Sequence, residues 1–147
     1  MAPLPPRLSL AVLLGLAACQ SGPTAPSVAD LQRAQADWAS HNLTRYAYRY
    51  ETTGLLIVWS GQAMRLVVLS DTVRSAQYVA TNDSVPVVPA SLPTIDALFA
   101  LAIAAREDGK LVSVQFDSTF GYPTRLVLAG PPDASGTILA SNIELLP

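Results

Sequence analysis

The chain has 147 residues, with nine Lys and Arg against eleven Asp and Glu, which gives a net charge of −2 at pH 7. No run of basic residues occurs, so we expect no basic patch and no nucleic-acid partner. With one cysteine, Cys19, and one histidine, His41, the chain has no second cysteine for a disulfide and too few ligands for zinc or copper. We therefore expect neither a metal nor another cofactor.

The N-terminal residues have the pattern of a lipoprotein signal. Residues 1–7 carry a single charged side chain, and residues 8–18 form an apolar segment too short to cross a bilayer as a helix. Ala17 and Ala18 then precede Cys19, which resembles the lipobox of bacterial lipoproteins. The alternative is an ordinary signal peptide followed by a cysteine by chance. We expect the Cys19 sulfur to carry a diacylglycerol group, with a further acyl chain such as palmitate on the new N-terminus.

These features predict three parts: a signal peptide over residues 1–18, a lipidated tether over residues 19–26, and one globular domain over residues 27–147. Two or more acyl chains hold a protein stably on a membrane, so the membrane is an expected partner through this lipid. We expect the protein in the cell envelope, on the extracytoplasmic side. Gln20 stands where an aspartate would resemble an inner-membrane retention signal, which favours the outer membrane if the organism has one.

Two amphipathic helices are predicted. The first begins after the N-cap Ser27, with Asp30 as its capping-box partner, and ends near residues 41–42. The second begins after the N-cap Thr94 and ends before Gly109. The predicted buried faces are Val28, Leu31, Ala34 and Trp38 in the first helix, and Ile95, Leu98, Phe99, Ala102 and Ala105 in the second.

Strands are predicted after each helix. Three follow the first helix, over residues 45–51, 64–69 and 73–80, and three follow the second, over residues 111–117, 125–129 and 138–145. Strict alternation in the first strand puts Tyr46, Tyr48 and Tyr50 on one face. Two later strands have predicted apolar faces of Val112, Val114 and Phe116, and of Leu139, Ile143 and Leu145.

The order helix, three strands, helix, three strands predicts an α+β fold. The simplest arrangement is a two-layer sandwich, in which both helices pack on one face of an antiparallel sheet of five to six strands. The other face of the sheet would then be open to solvent or to a partner.

Three short motifs occur in order along the domain. They are the tyrosine-rich strand that follows Trp38, Pro-Thr-Ile-Asp-Ala-Leu-Phe at residues 93–99, and Asp-Ser-Thr-Phe-Gly-Tyr-Pro-Thr at residues 117–124. Together they resemble a bacterial family of secreted proteins and lipoproteins of unknown function, DUF6174. The resemblance implies no activity, because the family has none established. Its members often carry a Cys-x-Cys pair where residues 51–56 here contain no cysteine, so no metal, redox or disulfide role of such a pair is expected.

We find no catalytic signature and do not expect an enzyme. A Ser-His-Asp arrangement would need His41, which we interpret as a solvated or helix-capping residue, and no Gly-x-Ser-x-Gly elbow occurs. A carboxylate pair could come from Asp96 and Asp117, but nothing in the sequence brings them together. Turn and cap geometry is sufficient to explain Gly121 and Thr94.

Two candidate interaction surfaces remain. Tyr46, Tyr48 and Tyr50 either pack beneath a helix or form, with Tyr122, an exposed aromatic surface for a protein or glycan. The apolar run at residues 54–59 is the second candidate. We expect a lipid-anchored binding or interaction module whose partner is an envelope protein or a small ligand. The alternatives are a structural accessory subunit of an envelope complex and, third, a hydrolase.

Overall fold

The computed structural model describes residues 25–54, 60–130 and 135–147. The predicted signal peptide, the lipidation at Cys19 and most of the apolar run at residues 54–59 therefore lie outside the described residues. Within them, no helix is long and apolar enough to span a membrane. The elements are α1 (Val28–Ser40), β1 (Arg45–Thr53), β2 (Met64–Leu69), β3 (Thr72–Tyr78), a short 3₁₀ helix (Pro89–Ser91), α2 (Ile95–Glu107), β4 (Leu111–Phe116), β5 (Pro123–Ala129) and β6 (Ser135–Leu145).

The strands form one six-stranded antiparallel sheet in the order β3-β2-β1-β6-β5-β4. The first and last strands of the chain therefore pair at its centre. This arrangement confirms an α+β fold with an antiparallel sheet and two α-helices. The 3₁₀ helix before α2 was not predicted; it begins at Pro89, whose fixed φ suits the first position of a helix.

Both α-helices begin as predicted, because their caps depend on residues close in the chain. The Ser27 side chain accepts a hydrogen bond from the Asp30 amide at 3.1 Å, and the Asp30 carboxylate accepts one from the Ser27 amide at 3.2 Å. Thr94 accepts from the Ala97 amide at 3.2 Å. The first helix ends at the C-cap His41, and Asn42 follows it with a left-handed φ of 52°. The two helix boundaries are thus set by local hydrogen bonding.

One core lies between the helices and a single face of the sheet. Leu31 and Trp38 are buried from α1, and the buried residues of α2 are the five predicted. The sheet contributes alternate residues: Tyr46, Tyr48 and Tyr50 from β1, Met64, Leu66 and Val68 from β2, and Ile138 and Ala140 from β6. Burial of these side chains provides the main stabilisation of the sandwich.

The predicted faces of β4 and β6 are wrong in part, because bulges interrupt the alternation. In β4 a register shift follows Leu111, which is buried, while Val112 is 47% exposed. In β6 a bulge with φ of 55° at Asn142 separates Leu139 from Ile143. An added residue moves the following side chains to the opposite face, so Leu139 and Ile143 do not share a face.

Candidate functional site

The tyrosines of β1 hold the start of α2 through their hydroxyl groups. The Tyr46 hydroxyl accepts a hydrogen bond from the Ile95 amide at 3.2 Å, and the Tyr48 hydroxyl donates one to the Pro93 carbonyl. Ile95 is the first residue of the helix, so its amide has no partner within the helix itself. The first two sequence motifs are therefore joined by one buried and one partly buried hydrogen bond.

Trp38 links these two motifs to the third. Its ring meets Tyr46 edge-on with centroids 5.5 Å apart, and it meets Tyr122 edge-on at 6.0 Å. Its indole N–H donates to the Asp96 carboxylate at 3.4 Å. Edge-to-face geometry is favourable for aromatic pairs. We call Trp38, Tyr46, Tyr48, Asp96 and Tyr122 the motif cluster.

The tyrosines are part of the core, so the alternative in which they form an exposed aromatic surface is wrong. Tyr46 and Tyr48 are each 1% exposed, Tyr122 is 3% exposed and Tyr50 is also buried. Burial raises the pKa of Tyr46 and Tyr48 well above the ordinary value and raises the pKa of Tyr50 to about 12. These phenols are neutral, buried groups, and they cannot form an aromatic contact surface for a partner.

The third motif forms a turn beside a shallow groove. The Asp117 carboxylate accepts hydrogen bonds from the amides of Thr119 at 2.9 Å and Phe120 at 2.7 Å. Gly121 has a φ of 72°, and a β-carbon there would lie 2.7 Å from the Asp37 carboxylate. Glycine is thus favoured by conformation, whereas the exposed Asp37 side chain can turn away from an added β-carbon. A groove of about 350 Å³ lies next to this turn, with Asn142 on its other side.

The residues considered for hydrolysis do not form one site. Asp96 lines a cavity of about 160 Å³ together with Trp38 and Asp71, whereas Asp117 lines the groove at the turn. His41 is the C-cap of α1, and its ring lies 5.3 Å from that of Phe120. Across the part of the chain that the structure describes, no three His, Cys, Asp or Glu side chains converge as metal ligands would.

The face of the sheet opposite the helices, which we call the open face, carries four of the chain's eight arginines. Register pairs Arg49 with Arg65 on one side and with Ser141 on the other, and it pairs Arg125 with Leu139. Directly paired residues project to the same side of a sheet. The charged residues placed on the open face in this way are Arg45, Arg49, Arg65, Arg125, Glu51 and Glu144.

Two ion pairs lie on this face. Arg65 contacts Glu144 at 2.6 Å and so connects β2 to β6 across β1, while Arg49 contacts Glu51 at 3.3 Å within β1. The hydrogen bond from Arg65 holds the pKa of Glu144 below its ordinary value. These pairs offset the repulsion of two arginines placed directly opposite each other. Among the described residues, Arg45 and Arg125 form no ion pair.

The sheet register brings together arginines that are scattered in the sequence, although Glu51 and Glu144 lie among them. No basic run exists, because the arginines occupy alternate strand positions and distant strands, and only the sheet register brings them together. The alternation of Arg45, Ala47 and Arg49 was the available local signal. A cavity of about 460 Å³ opens at one end of this face, with Arg49, Tyr78 and Asp83 among its lining residues.

The model of a family of unknown function, DUF6174, matches residues 30–138, which include all three motifs. Neither the comparison with curated proteins nor the comparison with solved structures gives a significant match.

Proposed function

The chain belongs to the DUF6174 family, and we propose that it is a lipid-anchored, extracytoplasmic interaction module of the cell envelope. The observation that carries this proposal is the open face, which presents arginines, glutamates and half-buried aliphatic side chains that no described helix covers. The motif residues, in contrast, are used for packing and hydrogen bonding inside the domain. The surface available to a partner is therefore the sheet, in place of the tyrosines first considered.

The lipid anchor rests on the residues around Cys19. An apolar segment of eleven residues, two small residues and then the chain's single cysteine form the pattern that lipoprotein processing requires. Ala25 already packs against the core, so at most the residues between Cys19 and Ala25 would separate the lipid from the domain. A domain tethered this closely works at the membrane surface.

A small-ligand binder is the second candidate function, favoured by the cavity at the end of the open face. Its volume of about 460 Å³ lies within the range of small-molecule sites, and Arg49 and Asp83 supply groups of opposite charge. A ligand bound there would raise the midpoint of thermal unfolding, with a stabilisation that grows as the logarithm of one plus its concentration over Kd. A structural accessory subunit would instead co-purify with one protein. The hydrolase is third, because Asp96 and Asp117 line different cavities.

The test is crosslinking in native membranes with photo-reactive side chains at defined positions. Gln77 and Gln115 are exposed on the open face, at its two edges, whereas Ala36 is exposed on α1. We expect envelope components to be captured from the two sheet positions and lost when Cys19 is replaced by serine. Equal capture from Ala36 would refute the open face as the contact surface, and unchanged membrane fractionation of Cys19→Ser would refute the anchor.

A further inference from the structure

On the basis of the lipid anchor proposed above, we propose that the open face docks on the anionic phospholipid headgroups of the membrane that carries the anchor. The occupant is the bilayer surface itself, recognised by arginines through its phosphates. Docking through this face holds the tethered domain in a defined orientation on the membrane.

Charge is segregated between the two sides of the domain. Of nine Lys and Arg in the chain, Arg45, Arg49, Arg65 and Arg125 lie on the open face, and Arg74 is exposed in the bulge of the neighbouring edge strand. Of eleven Asp and Glu, register places only two on this face, Glu51 and Glu144. The chain is acidic as a whole, so the open face has the sign opposite to that of the rest of the molecule. A membrane of anionic lipids therefore attracts this side and repels the helix side.

The two glutamates are occupied by two of the arginines. Arg49 and Arg65 are paired with Glu51 and Glu144, which leaves Arg45 and Arg125 as the unpaired cations that register places on the face. Arg74 is exposed at the β3 edge, and Asp83 lines the cavity at the end of the face. A guanidinium binds a phosphate with two parallel hydrogen bonds, so Arg45 and Arg125 each suit a headgroup. The aliphatic side chains between them, Val67 and Leu139, are half-buried, and this favours electrostatic contact over insertion into the bilayer.

The arrangement fits an extended surface better than a narrow site. From Arg74 on β3 to Arg125 on β5 there are four strand-to-strand steps, which correspond to about 19 Å across the sheet. An acidic peptide lying along one strand would meet few of these side chains, whereas a bilayer presents phosphates across the whole width. Charges within a Debye length of about 8 Å of the surface are felt at physiological ionic strength.

The tether allows this contact. Six residue steps from Cys19 to Ala25 span at most about 20 Å, roughly twice the separation of two packed layers. The chain can therefore pass around the end of the sandwich and leave the sheet against the headgroups. Because the anchor keeps the domain near the membrane, weak individual contacts act at high effective concentration.

The experiment uses the full, processed lipoprotein reconstituted in vesicles of phosphatidylcholine alone or mixed with phosphatidylglycerol. A fluorophore is attached to an introduced cysteine at Gln77→Cys or Gln115→Cys on the open face, or at Ala36→Cys on α1, and quenching by a lipid-headgroup quencher is measured. A lipidated Cys19 has no free thiol and does not react with the label. Failure of the anchor would therefore show as labelling of the protein that carries no introduced cysteine, or as loss of protein from the vesicles. Failure of docking instead leaves protein on the vesicles without quenching.

We expect quenching at both sheet positions and none at Ala36→Cys. The quenching should require phosphatidylglycerol, and it should be lost when the salt concentration rises from about 0.1 to about 1 M. Replacing Arg45 and Arg125 with glutamine lowers the ratio of docked to free domain about 30-fold, since each arginine near an anionic surface contributes about fivefold. The matched control replaces Arg33 and Arg106, the cations of the two helices, and leaves quenching unchanged. Equal quenching on phosphatidylcholine, no quenching, or equal loss in both double variants would overturn the proposal.

Discussion

The hydrogen bond between β1 and the start of α2 gives a sharp prediction for Tyr46→Phe. The substitution keeps the ring and its edge contact with Trp38 but removes the hydroxyl that accepts the Ile95 amide at 3.2 Å. Tyr46 is 1% exposed and Ile95 is fully buried, so water cannot replace the lost acceptor. The Ile95 amide, which has no partner inside the helix, is left unsatisfied.

A buried donor left without a partner costs about 1–3 kcal/mol of the free energy of unfolding. For a single domain with an m-value of about 2 kcal/mol/M in urea, this loss lowers the unfolding midpoint by about 0.5–1.5 M. The m-value itself should stay constant, because the substitution changes neither the folded surface nor the unfolded chain appreciably.

The assay is urea unfolding followed by circular dichroism on wild type and variants in parallel. Tyr78→Phe is the matched control, since it removes a hydroxyl from a half-buried tyrosine of β3, at the sheet edge opposite the strands β4 and β5 that α2 contacts. We expect its midpoint to move much less. A midpoint of Tyr46→Phe within about 0.25 M of wild type, which corresponds to about 0.5 kcal/mol, would refute the role given to this hydrogen bond.

Three further predictions concern Tyr50, Gly121 and Cys19. Burial raises the pKa of Tyr50 to about 12, whereas an unfolded tyrosine ionises near pH 10; above pH 10 the unfolded chain alone releases this proton, so urea midpoints should fall as pH rises towards 12, and a constant midpoint would contradict it. Gly121→Ala should cost about 1–2 kcal/mol for its positive φ, and Gly109→Ala, with φ of 69° and open space around it, should cost about as much, because the exposed Asp37 side chain beside Gly121 can turn away; a much lower urea midpoint for Gly121→Ala would contradict this. Cys19→Ser should leave the membrane fraction on centrifugation, and a variant that still sediments with membranes would count against lipidation.

The helices could be predicted because their signals are local. Ser27 with Asp30, and Thr94 with the apolar spacing that follows it, act within one or two turns, and both caps form as expected. The positions of β1 and β2 could also be predicted, because alternation of residue types is the pattern of a regular strand. The central residues of these elements could be assigned without knowing which distant residues pack against them.

The candidate site could not be predicted in the same way. The hydroxyl of Tyr46 finds its partner 49 residues away, so its burial depended on where α2 crosses the sheet. The open face needs the strand order, which sets β6 between β1 and β5 and brings Arg125 to the side that carries Arg49. The bulge at Asn142 reverses the alternation of β6, and a single added residue has no periodic signal of its own.

The pairing of β1 with β6 has a consequence for how the chain reaches this fold. Thr53 pairs with Thr137 and Tyr46 with Leu145, so the middle of the sheet joins an early segment to the last strand. Each half can form its hairpin early, but the two halves cannot close until nearly the whole chain is present. Contacts this far apart in sequence slow folding, since the entropy of closing the loop must be lost first. We therefore expect the arrival of β6 beside β1 to limit the folding rate.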